Sequence, residues 1–290
     1  MAAGSTARFD LVAALLSLVC LGLLAASLRG RLSTDYAVRV AQLATEPAAA
    51  ARGGGRGRAF LRGERRAMAL LLIGQLRGDL AVQSGALMSL VTSALVLVGT
   101  SVAIGLPHDP FVDADGSIVE MVVLFMVPNF RETLTRSKDF EASWPFFTTP
   151  ADRAALLAGS RDALATCLLA PMLAGVGALF FYAFGHPGHA LTHLALMSLA
   201  AYLVLQVHVL ISPSLPFSRP LAAGQRGLTS GLLSIPASGG AMAIVLLFEF
   251  VLYRSAVATA AGLAALAGLV FALNRATRWR AAHRGAAYAG

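Results

Sequence analysis

Long apolar runs alternate with arginine-rich segments along this 290-residue chain, and this alternation limits the folds that it can adopt. Hydrophobic residues make up 57% of the chain and charged residues only 13%, with a mean hydropathy of +0.71. A soluble globule of this size could not cover so much apolar surface with so few charges. The pattern therefore predicts an all-α polytopic membrane protein, whose first partner is the lipid bilayer.

The positive charges predict how the chain crosses the membrane. With seven crossings, 21 of the 23 Lys and Arg residues lie on one side, and only Arg8 and Arg254 lie on the other. Basic short loops stay cytoplasmic, so the N-terminus is predicted outside and the C-terminus in the cytoplasm. The seven predicted spans are Leu11–Leu28, one within Leu80–Leu106, Ile118–Phe130, Leu164–Gly185, Leu191–Ile211, Ser230–Leu252 and Ala256–Leu273. Anionic lipid accounts for the basic inner face, so nucleic acid is not expected as a partner.

The third run, Ile118–Phe130, is the shortest and contains Glu120 and Pro128. It is either re-entrant or a tilted crossing that needs protein around its broken backbone. If it did not cross, the cations would divide almost evenly, with 11 inside and 12 outside. The charge pattern therefore favours a crossing.

The apolar runs and the charges divide the chain into five predicted parts. These are an N-terminal span (1–28), a basic flexible cytoplasmic loop (29–66), an interfacial helix (67–79), a six-span core (80–275) and a basic cytoplasmic tail (276–290). The loop is rich in Gly and Arg and has no face that could pack. The interfacial helix has an apolar stretch too short to span and framed by Arg.

The inner loop between the third and fourth spans contains the signals of a helix start. Thr149 precedes Pro150, as an N-cap precedes a proline at the first helical position. Asp152 would then lie in the first turn, where the helix dipole favours a carboxylate. We expect a helix from about Pro150 into the next span. Just before it, the aromatic residues Trp144, Phe146 and Phe147 form either an interface belt or a docking surface.

Seven residues of this region form a recognisable motif, namely Ala142-Ser143-Trp144, Pro150, Gly159, Arg161 and Pro171. In this motif an Ala-Ser-Trp is followed by a Pro-led helix, a Gly, a basic position and an intramembrane Pro. It resembles a group of bacterial polytopic membrane proteins that are similar to type-2 ABC exporter permeases. The resemblance covers about residues 60 to 275.

The resemblance implies a six-span permease in a bacterial plasma or inner membrane, preceded by an amphipathic helix at the inner face. It also implies a homodimer, or a pair with a similar chain, driven by a separate ATP-binding subunit that presses on an inner-loop coupling helix. The positions implied for that coupling are Ser143, Trp144, Phe146, Phe147, Asp152 and Arg153.

The chain carries no enzyme motif of its own. It contains no GxxxxGK[ST] sequence, no HExxH and no GxSxG, and its only lysine is Lys138. We therefore expect neither catalysis nor a cofactor, and ATP-driven transport would need a partner chain. The alternative is a non-transporting membrane scaffold or assembly factor, which would use small residues such as Gly262 and Gly268 for close helix contacts.

Three ionisable residues in apolar runs are candidates for a transport pathway: Glu120, His208 and Glu249. Charged groups inside a membrane are expensive, which makes them functional candidates by default. All three lie near the ends of predicted spans, so interface anchoring is the alternative. Glu249 could then reach toward Arg254.

His186, His189 and His193 follow one another at the predicted outer end of the fourth and fifth spans. On a helix His189 and His193 share a face, as metal binding would need. No carboxylate lies near them in the sequence, and His186 precedes a Pro-Gly turn. The sequence therefore predicts interface histidines and no metal, with an intramembrane metal enzyme as the remaining alternative.

Overall fold

The structure is a computed structural model that describes residues 63–78, 88, 91–92, 94–99, 105–113, 118–137, 152–220 and 228–284. They belong to one compact unit, Leu61–Gly290. The predicted N-terminal span, most of the basic loop and the end of the tail lie outside these residues, as does most of the second predicted span.

Helices make up nearly all of the part that is described, as predicted. The helices are α1 (Gly63–Gly78), α2 (Ile118–Thr135), α3 (Arg153–Leu164), α4 (Ala170–Ala183), α5 (Pro187–Ile211), α6 (Leu228–Phe250) and α7 (Ala256–Arg284). A π-helical segment (Ala165–Leu169) joins α3 to α4, and a 3-10 turn (Leu252–Arg254) follows α6. Two strands of two residues, β1 (Arg136–Ser137) and β2 (Arg219–Pro220), pair in parallel.

Four helical segments in this part are long and apolar enough to cross a bilayer: Arg153–Ala183, Pro187–Ile211, Ile235–Arg254 and Ala256–Trp279. They overlap the last four predicted spans, because the length of an apolar run is a local property that hydropathy reports directly. The chain is therefore a membrane-embedded helical protein.

The connections between these helices define two ends of the bundle. The short connections 184–186 and 251–255 lie at one end, which we call the turn end. At the opposite end α2 and α5 stop and α3 begins. We call this the basic end, because Arg131, Arg153 and Arg275 lie there.

α2 includes the short third run and continues beyond it. The helix has 18 residues and is about 27 Å long. The helix packs against α5 and α6, and its buried side chains include Val123, Leu124 and Phe130. Pro128 lies inside it and has no N–H to bond the carbonyl of Leu124. The hydroxyl of Ser238 in α6 donates to that carbonyl at 3.0 Å. The expected protein environment around the broken backbone is thus present.

Replacing Ser238 with alanine should lower the unfolding free energy by about 1 kcal/mol, because the buried Leu124 carbonyl would lose its donor. Ser198→Ala is the matched control. The Ser198 hydroxyl donates to the Leu194 carbonyl of its own helix, which a backbone N–H can also reach. Thermal unfolding of both variants in detergent measures the difference. Equal shifts for the two serines would contradict this account of Pro128.

α1 begins four residues before the predicted interfacial helix, and it is not simply a lipid-facing element. Its residues Met68, Ala69 and Leu72 are buried, and its main contact is with α3. The two helices meet closely at Gly159, where a Cβ would lie 2.5 Å from the backbone oxygen of Arg65. A residue without a side chain is therefore required at this crossing.

α3 begins a few residues later than predicted. Asp152 has extended backbone angles, and its carboxylate accepts hydrogen bonds from the N–H groups of Ala154 and Ala155. Asp152 is thus the N-cap rather than a residue of the first turn, and the helix begins at Arg153. A carboxylate caps well because it also interacts favourably with the helix dipole. Thr149 and Pro150 lie outside the described residues, but the helix does run on into the span as expected.

The Arg153–Ala183 segment changes its hydrogen bonding at the proline that the sequence singled out. Over Ala165–Leu169 the helix is π-helical, and the N–H of Ala170 donates to the carbonyl of Ala165. Pro171 follows in the first turn of α4. A π segment beside a proline is a common cause of a helix kink, and π segments often occur at functional positions.

Candidate functional site

Three ionisable side chains from three helices meet inside the bundle near the turn end. They are Glu120 of α2, His193 of α5 and Glu249 of α6, which are 1%, 0% and 4% exposed. His193 Nε2 lies 3.0 Å from Glu120 Oε1 and 4.0 Å from Glu249 Oε1. We call these three residues the Glu-His-Glu site. Two of the predicted pathway residues therefore meet at a histidine that the sequence placed at the interface.

The imidazole of His193 is held on its other side by Tyr253, in the turn after α6. The hydroxyl of Tyr253 lies 2.9 Å from His193 Nδ1. Phe180 and Phe184 place their rings edge-on to the imidazole, with centroids 4.9 and 5.8 Å away. This contact and the aromatic wall fix the ring so that Nε2 points at the two carboxylates.

A second polar pair lies one helical turn closer to the turn end. His189 Nδ1 and Asp109 Oδ2 are 2.6 Å apart. Phe111 stacks on His189 at 4.3 Å and on Tyr253 at 3.9 Å between ring centroids. The segment that contains Asp109 thus closes over the Glu-His-Glu site from the turn end.

These contacts correct two expectations about the histidines and Glu249. His189 and His193 each have a carboxylate partner, but they face different ones and do not converge on a single point. Glu249 lies inside the bundle beside His193, whereas Arg254 is exposed. Both glutamates are almost completely buried within the protein.

His208, the third predicted pathway residue, is buried but does not belong to the site. It lies 15 residues beyond His193 on α5, which is about 22 Å along the helix axis. It is therefore close to the basic end.

A network of polar side chains joins four helices near the basic end. The guanidinium of Arg161 donates to Asp162 at 2.7 Å and to Asn274 of α7 at 2.8 Å, and it lies over the ring of Tyr202 of α5. Asp162 also forms an ion pair with Arg65 of α1. We call this the Arg161 network. It holds α3 against α1, α5 and α7, although Arg161 itself is only 2% exposed.

Arg131 joins the ends of α2 and α5 at the basic end. Its guanidinium donates to the backbone carbonyl of Ser212, which follows α5, and to the hydroxyl of Ser214 at 3.1 Å. Carbonyls at the end of a helix lack partners within it, and a cation there also interacts favourably with the helix dipole.

The predicted coupling residues are only partly described. Ser143, Trp144, Phe146 and Phe147 lie outside the described residues. Asp152 caps α3, and Arg153 is the first residue of that helix. A change at Asp152 would therefore alter the start of the helix as well as any contact with a partner.

No family model, curated protein or solved structure matches this chain. The resemblance to permeases consequently rests on its sequence motif alone. Three positions of that motif have a clear structural role here. Gly159 allows α1 to pack closely against α3, Arg161 is the centre of the Arg161 network, and Pro171 follows the π segment.

Proposed function

We propose that this chain is the permease-like transmembrane subunit of an ABC-type exporter, driven by a separate ATPase chain. One observation carries the proposal. The helical segment Arg153–Ala183 has 31 residues and is about 46 Å long, whereas a bilayer core is about 30 Å thick. Part of this segment is therefore longer than the hydrocarbon core requires, and we infer that α3 extends out of it at the basic end, where a cytoplasmic subunit could reach it.

The contacts of α3 support the transfer of force from such a subunit. The close crossing at Gly159 and the Arg161 network tie α3 to α1 and α7. A push on α3 would therefore move a packed unit instead of bending one free helix. The segment directly before α3 contains the positions that resemble the coupling helix of exporter permeases.

The π segment gives this unit a place to bend. It separates α3 from α4, and Pro171 follows it at once. Regular i to i−4 bonding is interrupted there, so the helix resists bending less than elsewhere. We infer that ATP-driven movement of α3 is converted at this point into movement of α4 within the bundle.

The proposal includes seven spans, an outside N-terminus and a cytoplasmic C-terminus in a bacterial plasma or inner membrane. It also includes a homodimer or a pair with a similar chain. Few residues of the Ala256–Trp279 span are buried, and Val257 and Phe271 are exposed on it. Gly262 packs against Phe248 and Leu252 within the chain, whereas Gly268 has open space around it. This outer face could contact lipid or a second permease chain.

An affinity pull-down from the native membrane, with and without ATP, tests the proposal. The coupling variant combines Trp144→Ala, Asp152→Asn and Arg153→Ala. Asparagine keeps a good N-cap at position 152, so α3 should still begin there. The matched control combines Trp279→Ala and Arg278→Ala at the end of α7, which also removes one tryptophan and one arginine on the same predicted side.

We expect a nucleotide-binding protein to co-purify with the wild type and the control, and to be lost from the coupling variant. Loss from both variants would place its docking surface elsewhere and contradict the role given to α3. If no nucleotide-binding protein is recovered with the wild type, the exporter proposal fails. Partners that bind without regard to nucleotide would then favour the scaffold.

A further inference from the structure

We propose that Glu120, His193 and Glu249 bind one divalent transition-metal ion of the zinc class inside the helical bundle. One imidazole nitrogen and one oxygen from each carboxylate lie within 4.8 Å of one another. The three ligands come from α2, α5 and α6, so the ion would join three helices that are far apart in the sequence. The inference needs no ATPase partner and goes beyond the proposed transport function.

The spacing of the ligand atoms fits a tetrahedral ion. Zinc–nitrogen and zinc–oxygen bonds of about 2.0–2.1 Å place neighbouring ligand atoms about 3.3 Å apart in a tetrahedron. His193 Nε2 lies 3.0 Å from Glu120 Oε1 and 4.0 Å from Glu249 Oε1. A small rotation of the Glu249 side chain would bring the three atoms to the required spacing.

The chemistry of the ligands selects the class of ion. Calcium prefers six to eight oxygen ligands, and magnesium prefers six and keeps several waters. The Glu-His-Glu site instead offers a single buried imidazole with two carboxylates, a set that suits zinc and its neighbours in the first transition row. Three protein ligands leave the fourth position for a water molecule or another small ligand.

The charges of the site also favour a divalent ion. Two carboxylates beside each other in a buried place are costly unless positive charge compensates them. A divalent ion bound by two carboxylates and a neutral imidazole gives a total charge of zero. In addition, Glu249 Oε2 is buried and has no hydrogen-bond partner among the described residues. A metal ion bound to the Glu249 carboxylate would compensate the charge of this incompletely satisfied group.

Tyr253 completes the arrangement outside the ligands. A histidine that binds a metal through one ring nitrogen usually forms a hydrogen bond through the other, which fixes its tautomer and orientation. Here the Tyr253 hydroxyl lies 2.9 Å from Nδ1 and leaves Nε2 for the ion. Phe180 and Phe184 keep water from that side of the ring.

Zinc binding to the purified full-length chain tests this inference. The protein should carry an affinity tag without histidines, be stripped with a chelator, and be loaded with Zn²⁺ before gel filtration and elemental mass spectrometry. Competition with a chromogenic chelator gives the affinity. Co²⁺ in place of Zn²⁺ gives absorption bands in the visible range, which report tetrahedral coordination.

We expect about one ion per chain for the wild type, as a three-ligand site with an open position predicts. Glu249→Gln and Glu120→Gln keep the shape of the side chain but remove its charge, and each should weaken binding by more than the roughly 10- to 100-fold that loss of a group outside the ligands costs. Tyr253→Phe should weaken it by about tenfold, because the orienting contact is lost. His189→Gln and Asp113→Asn, outside the site, should bind like the wild type.

Two results would overturn the inference. The first is a monodisperse wild-type protein that retains less than about 0.1 Zn²⁺ per chain under loading conditions that saturate a micromolar site. The second is loss of the ion in His189→Gln with full binding in Glu249→Gln, which would place the metal at the histidines of the turn end. The first result is measured on the wild-type protein alone. It therefore tests zinc binding even if a variant folds poorly.

Discussion

Replacing His193 with leucine should lower the unfolding free energy of the bundle by about 3–5 kcal/mol. The change removes the base that lies between Glu120 and Glu249, while both carboxylates stay almost completely buried. It also removes the hydrogen-bond partner of the Tyr253 hydroxyl. Removing one member of a buried polar cluster is strongly destabilising because the remaining buried groups lose their polar partner. Unfolding in mixed detergent micelles, followed by circular dichroism, measures the loss.

A triple variant separates this charge effect from simple loss of packing. In Glu120→Gln/His193→Leu/Glu249→Gln the carboxylates become neutral amides of the same shape, so we expect about half or more of the lost stability to return. His189→Leu is the control on the same helix. His189 is partly exposed and its partner Asp109 lies at the turn end, so the cost should stay near 1 kcal/mol or below. A triple variant as unstable as the single one would show that packing, and not charge, dominates.

Gly159→Ala should separate α1 from α3 and lower stability by about 1–3 kcal/mol. The new Cβ would lie 2.5 Å from the Arg65 carbonyl oxygen and 2.9 Å from the Arg65 Cα. Both atoms belong to the backbone, so no side chain can rotate away, and α1 itself must shift. That shift would also strain the ion pair between Arg65 and Asp162. Thermal unfolding reports the loss, and hydrogen exchange of α1 amides reports the local separation.

Gly175→Ala is the matched control, on α4 of the same continuous helical segment. Nothing lies within 4 Å of the Cβ that it would add. Alanine has a higher helix propensity than glycine by about 1 kcal/mol, so this variant should be neutral or slightly stabilised. Equal behaviour of the two variants would contradict the close crossing at Gly159. If the exporter proposal is correct, Gly159→Ala should also weaken the coupling of ATP hydrolysis to transport.

The helices that cross the membrane could be predicted because their signal is local. The last four apolar runs overlap the four segments that are long enough to span. The end of α2 was less predictable, because Arg131 and Glu132 interrupt the apolar pattern. Arg131 is nevertheless buried, since α5 ends beside it and offers backbone carbonyls to its guanidinium. A helix that is surrounded by protein can keep a charge that lipid would exclude.

The start of α3 shows where local signals compete. Thr149 before Pro150 is a reasonable N-cap, but Asp152 three residues later also caps well and binds two backbone N–H groups. Nearby capping residues differ little in free energy. Which one begins the helix depends on how the preceding loop packs, and single-residue preferences do not contain that information.

The sequence by itself determined that this chain lies in a membrane, where most of its helices run, and which residues are too polar for their surroundings. Glu120 and Glu249 stand out for that reason alone, since an ionisable group in an apolar run is costly wherever it lies. Only the tertiary structure decided that both meet His193, because these residues are 73 and 56 positions from it in the chain. Their meeting depends on the rotation and packing of α2, α5 and α6. Many side chains along those helices set that packing together, so no local pattern in the sequence records it.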